Sequence, residues 1–89
     1  MKGVPHPSQT DPVERQLVLV LRELRLKKGL SATQLAASVG VSRATITHLE
    51  SDHTRPTLWV LLSVCRGLGV ELSTCLHQAK RLLNESGGR

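Results

Sequence analysis

At 89 residues and 9.7 kDa the chain has room for one small domain. Twelve Lys+Arg against seven Asp+Glu leave a net charge of +5 and a pI near 10.0, which favours a polyanionic partner, either nucleic acid or an anionic membrane. The longest apolar run, Leu17 to Leu21, is far short of the roughly 20 residues of a membrane span, so no membrane protein is expected.

Residues 1–11 carry two prolines, a glycine and several polar residues, and read as a flexible arm that is too polar for a signal peptide. A first helix is predicted from Asp11-Pro12, with Asp11 as N-cap and Pro12 in the first turn. Val13, Leu17, Val20, Leu21 and Leu24 recur along it at helical spacing, and Gly29 ends it. Ser31 caps a second helix that carries Leu35, Ala36 and Val39 and stops at Gly40. Ser42 caps a third, which runs through Ile46 and Leu49 to about Ser51. Asp52 to Pro56 reads as a polar loop. Thr57 caps a fourth helix with Leu58, Leu61, Leu62, Cys65 and Leu68 on one face, its end marked by Gly67 and Gly69. A last helix is predicted from about Leu72 to Asn84, striped by Leu72, Cys75, Leu76, Ala79, Leu82 and Leu83, with 85–89 as a disordered tail. No strand signal competes, so the expected fold class is all-α, a compact five-helix bundle, in which 12–84 form the domain.

The two short helices around Gly40 carry the functional signal. Ala36 is small where the helices would cross, Gly40 takes a positive φ without steric cost, and Ile46 and Leu49 pin the second helix to the first. Spacings of four, six and three between these residues fit a helix-turn-helix. Residues 21–72 resemble the XRE-type helix-turn-helix family of phage repressors and Cro proteins. The resemblance rests on GLS, QLA, GVS, the Ile46-x-x-Leu49-Glu50 step, RPTL and LGV in one register.

That resemblance implies that the third helix, Arg43 to Leu49, enters the DNA major groove. With Ile46 and Leu49 facing the core, Arg43, Ala44, Thr47 and His48 fall on or near the opposite face. Arg43 suits a bidentate contact to guanine and Ala44 a thymine methyl. Ser31, Thr33, Gln34, Ser42, Thr45, His53, Thr54 and Arg55 are the expected phosphate contacts, flanking the base-reading positions. Many relatives have glutamine where this chain has Ala32, so one side-chain phosphate contact is missing. Arg25 and Glu50 match positions that form an internal ion pair. The other basic residues lie on the arm, the tail or outer helix faces, which leaves the +5 charge mostly outside any DNA footprint. Only roughly four to six phosphates per dimer are then neutralised.

Two apolar surpluses point to a second subunit. Val18, Leu19 and Val20 make the first helix apolar nearly all round, and Ala79, Leu82 and Leu83 extend the last stripe by two turns. The expected dimer interface is therefore Val18, Leu19, Ala79, Leu82 and Leu83, unless the two stripes cover each other within one subunit. Trp59 is then a rim residue or a lid on the core. The resulting expectation is a cytoplasmic, nucleoid-associated transcriptional regulator of bacterial or phage type, with double-stranded DNA bearing an inverted repeat and a second copy of itself as partners. An antitoxin-type module that binds a partner protein and autoregulates its operon is the alternative. No enzyme is expected, because no paired carboxylates, nucleophile–base pair or phosphate loop is present. No cofactor and no metal are expected either; Cys75-x-His77 stands alone, and Cys65 and Cys75 read as core residues of a reducing compartment.

Overall fold

The computed structural model describes residues 11–51 and 55–87. Five helices follow in chain order: α1 (Pro12–Lys27), α2 (Ala32–Val39), α3 (Arg43–Glu50), α4 (Leu58–Leu68) and α5 (Leu72–Gly87). The cap residues explain the boundaries. The Asp11 carboxylate accepts from the amides of Val13 at 2.8 Å and Glu14 at 3.3 Å, using two donors that the first turn leaves without intrahelical partners. Ser31 and Gln34 form a reciprocal capping box at α2. Ser42 and Thr57 accept from the third helical amide of α3 and α4. Gly40, at φ 77°, takes the left-handed turn between α2 and α3, and the Val41 amide closes it on the Ala36 carbonyl at 3.0 Å.

The core is aliphatic apart from two thiols. Leu17, Val18, Val20 and Leu21 of α1 meet Leu35 and Ala36 of α2, Ile46 and Leu49 of α3, Val64, Cys65 and Leu68 of α4, and Cys75 and Ala79 of α5. Burial pushes the Cys65 thiol up to about 11 and raises Cys75 as well, so both stay protonated at neutral pH. No single helix among the described residues is long and apolar enough to cross a membrane.

Three expectations change. Val18 and Ala79 are not surface residues awaiting a partner: they are 3% and 0% exposed, inside the subunit. The cause is the position of α1, which packs along α5 on one side and touches α3 and α4 on the other. A central helix must be apolar on several faces. Of the remaining expected interface residues, Leu19, Leu82 and Leu83 are half-buried. Second, α5 continues to Gly87, three residues beyond the predicted end. Third, Gly67 is not a stop signal but the crossing point of α2 and α4.

A Cβ at Gly67 would overlap Val39 Cγ1 and press on Leu35 Cδ1 at 3.1 Å. Val39 is β-branched and holds one χ1 rotamer in a helix, so it yields poorly. Gly67→Ala is expected to destabilise the fold by about 1–3 kcal/mol through overpacking, outweighing a helix-propensity gain of about 0.5–1 kcal/mol. A urea midpoint that moves upward in this variant would contradict the close crossing.

Candidate nucleic-acid interface

The α2–turn–α3 unit presents one face of α3 to solvent because the other face is anchored. Ile46 is 0% exposed and Leu49 4%, which fixes the rotation of the helix about its axis. Arg43, Ala44 and His48 are consequently exposed, whereas Thr45 and Thr47 are half-buried. The Ser42 and Thr45 hydroxyls pair with one another at 2.9 Å while Ser42 also caps the helix. Thr47 Oγ1 donates to the Ala44 carbonyl of its own helix at 3.2 Å.

The expected contact residues divide into two groups. Ala44, Thr45 and His48 share a cleft of about 250 Å³ with Arg55 and Thr57, between α3 and the start of α4. Thr47 faces the opposite side of α3. Arg55 is held by Glu14 of α1 at 3.0 Å, an ion pair that is half-exposed on the arginine side. Two of the expected phosphate contacts, His53 and Thr54, lie outside the described residues. Ser31, Thr33 and Gln34 stand exposed at the start of α2. The capping box already takes up the amides of Ser31 and Gln34, which leaves those of Ala32 and Thr33 with no acceptor among the described residues.

Arg25 and Glu50 form a bidentate pair. Arg25 Nε and Nη2 donate to the two carboxylate oxygens at 2.7 and 2.8 Å, and Nη1 donates to the Leu30 carbonyl at 2.7 Å. With side chains only 9% and 13% exposed, the pair ties α1 to the end of α3 and to the α1–α2 turn. The hydrogen bonds that Arg25 donates to Glu50 raise its guanidinium above the ordinary value.

The same corner gathers two cations that the reading of the sequence left on an outer face. Arg15 and Arg22 line a cleft of about 430 Å³ together with Arg25, Ala32, Thr47 and Glu50. Arg15 Nη1 donates to the Glu50 carbonyl at 3.2 Å, and Arg22 Nε lies 3.8 Å from Glu50 Oε1. Their spacing along α1, seven residues apart with Leu19 between, puts both on one stripe. That spacing was the signal available; what lay opposite the stripe was not. Among the described residues no group of three or more His, Cys, Asp or Glu side chains converges to hold a metal ion.

The fold and this arrangement define a helix-turn-helix domain. Residues 21–74 match the helix-turn-helix family model, and the chain belongs to that family, in its XRE-type form, a class of DNA-binding domain. It is 37% identical over 60 residues to the HTH-type transcriptional regulator SutR of Escherichia coli K12, covering 67% of this chain. The match spans only about a third, 34%, of the length of SutR. Among solved structures, the clp gene regulator ClgR of Corynebacterium glutamicum superposes with a TM-score of 0.72 at 27% identity, over 83% of this chain and 96% of ClgR. The restriction-modification controller protein C.Esp1396I shares the fold with a TM-score of 0.76 at 20% identity, over 85% and 99% of the two chains.

Proposed function

We propose that the chain is a sequence-specific DNA-binding transcriptional regulator that reads an inverted-repeat operator as a homodimer. One observation carries the base-reading part. The helix locked by Ile46 and Leu49 turns Arg43, Ala44 and His48 outward together, as a helix entering a major groove must. Family membership and the similarity to SutR support the regulatory part.

The homodimer is supported by an exposed apolar face, though not the one expected from the stripes. Leu58 is 63% exposed, Trp59 58% and Leu62 38%, all on α4. No charged residue occurs from Thr57 to Cys65. A two-fold interface sets each patch against its own copy, and in a chain of net charge +5 an uncharged patch avoids like-charge repulsion there. The face also adjoins the recognition helix, since Thr57 and Val60 share a cleft with Ala44 and His48.

Selection of bound duplexes from a random pool tests the base-reading claim. The expected product is an inverted repeat with half-sites one turn apart. Arg43→Ala should relax the preference at one guanine per half-site at a cost of about 1–3 kcal/mol. Equal affinity for every duplex would sink specific readout.

A further inference from the structure

We infer that Trp59 of each subunit seats in the notch between α2 and α4 of a second copy, its indole face against Arg66 of the partner subunit. The inference rests on the homodimer proposed above and names what the aromatic residue of that interface meets.

The notch lies beside the close crossing of α2 and α4 at Gly67. Ser38, Val39, Ser63, Arg66 and Gly67 line a recess of about 320 Å³ there. A cavity of about 150 Å³ admits a benzene ring, so this one has room for the two fused rings of an indole. Its chemistry suits the same group. Arg66 is exposed, and its Nη2 gives one long bond, 3.4 Å, to the Ser63 hydroxyl. No carboxylate is among the residues that line the notch. The guanidinium plane is therefore a cation with no counter-charge on these walls, and the negative face of an aromatic ring offsets it. Ser38 Oγ donates to the Leu35 carbonyl at 2.8 Å and keeps its lone pairs, which can accept from an indole N–H.

The sequence of α4 supplies the occupant. Trp59 is the only aromatic residue of the chain and is 58% exposed. At helical spacing Leu58, Trp59, Leu62 and Arg66 fall on one stripe about 100° wide. The stripe is apolar and aromatic at its N-terminal end and cationic at its C-terminal end. Two copies packed parallel would set Arg66 against its own like charge. A two-fold axis that crosses α4 at Leu62 runs the helices antiparallel instead. Trp59 lies three residues before that point and Arg66 four after it, so each indole arrives at the height of the other copy's guanidinium. The side of the stripe also agrees. Trp59, Ser63 and Gly67 form one row at a spacing of four, and Ser63 and Gly67 line the notch. Such an axis keeps that row on the same side in both copies, which carries each ring over the notch. Within one helix the same two residues stand seven apart, about 10 Å along the axis, whereas a cation–π contact needs about 6 Å.

Sedimentation velocity and native mass spectrometry of the full chain test the contact. Arg66→Met should raise the dimer dissociation constant roughly tenfold, since each dimer loses two contacts. Ser38→Leu fills the notch from α2, away from the stripe, and should act in the same direction. Equimolar Trp59→Leu and Arg66→Met chains give the decisive reading. Their mixed dimer restores one indole–guanidinium contact that both parent dimers lack, so it should exceed the statistical half of all dimers. Ser38, Trp59 and Arg66 are exposed in the subunit, and thermal melting should show each variant folded. Mixed dimers at the statistical half overturn the inference, as do Arg66→Met and Ser38→Leu variants that dimerise with wild-type affinity. In both of those cases a wild-type chain that still dimerises leaves the homodimer standing. A wild-type chain that stays monomeric, alone and on DNA, removes the homodimer and this contact with it.

Discussion

Arg25→Ala should destabilise the domain by about 3 kcal/mol, because the mostly buried Glu50 carboxylate loses both short hydrogen bonds and keeps only Arg22, at 3.8 Å. The surface discount that makes most ion pairs weak does not apply, since these side chains are 9% and 13% exposed. The Leu30 carbonyl would lose its donor at the same time, at the turn that leads into α2. For a domain of this size each kcal/mol lowers Tm by about 4–8 °C, so a drop well above about 10 °C is expected by circular dichroism. Glu50→Ala should cost a similar amount, with Arg25 left charged and unpaired. The double variant Arg25→Met/Glu50→Leu should recover much of the loss, since an apolar pair of similar volume replaces a desolvated ionic one at little net cost. A single variant within a few degrees of wild type would show that the pair adds little to stability. DNA affinity should fall in Arg25→Ala in step with the folded fraction, and return on cooling.

The helix boundaries were legible because their causes are local. Asp11, Ser31, Ser42 and Thr57 each act within three residues of themselves, and Gly40 needs only its own φ to end α2. What covers an apolar stripe is not local. Val18 and Ala79 carry the signature of buried positions, but periodicity is silent on whether the cover is α5 of the same subunit or another chain. Gly67 poses the same problem: a glycine near a helix end looks like a stop until Val39, 28 residues earlier in sequence, is found against it. The candidate site divides along the same line. The outward positions of α3 follow from Ile46 and Leu49 by helical geometry alone. Arg15 and Arg22 acquire meaning only when the fold brings Glu50, 35 and 28 residues away, to the same corner. The charge that composition placed outside the footprint is therefore gathered in part beside the recognition helix.

Leu58→Glu/Leu62→Glu should leave the chain folded and monomeric, and should lower affinity for a full operator by about 10²–10⁴. Both leucines are exposed in the subunit, so the substitutions open no cavity and bury no charge until a second copy approaches. Association would then desolvate four carboxylates in a small area, which outweighs the apolar gain. The large factor follows from linkage: once one subunit is bound, its partner meets the second half-site at a raised effective concentration, and this advantage vanishes with the dimer. Affinity for an isolated half-site should be unchanged, which distinguishes lost dimerisation from a damaged α3. Trp59, the only aromatic residue of the chain, supplies a direct readout beside the substitutions. It is 58% exposed in the subunit, so its emission should shift to the blue as wild-type protein is concentrated and stay unshifted in the variant. Sedimentation velocity over the same concentrations ties the shift to mass. A dimer that forms while Trp59 emission stays constant would move the interface off α4 but keep the homodimer. A wild-type chain that sediments as a monomer both alone and on its operator would remove the homodimer altogether.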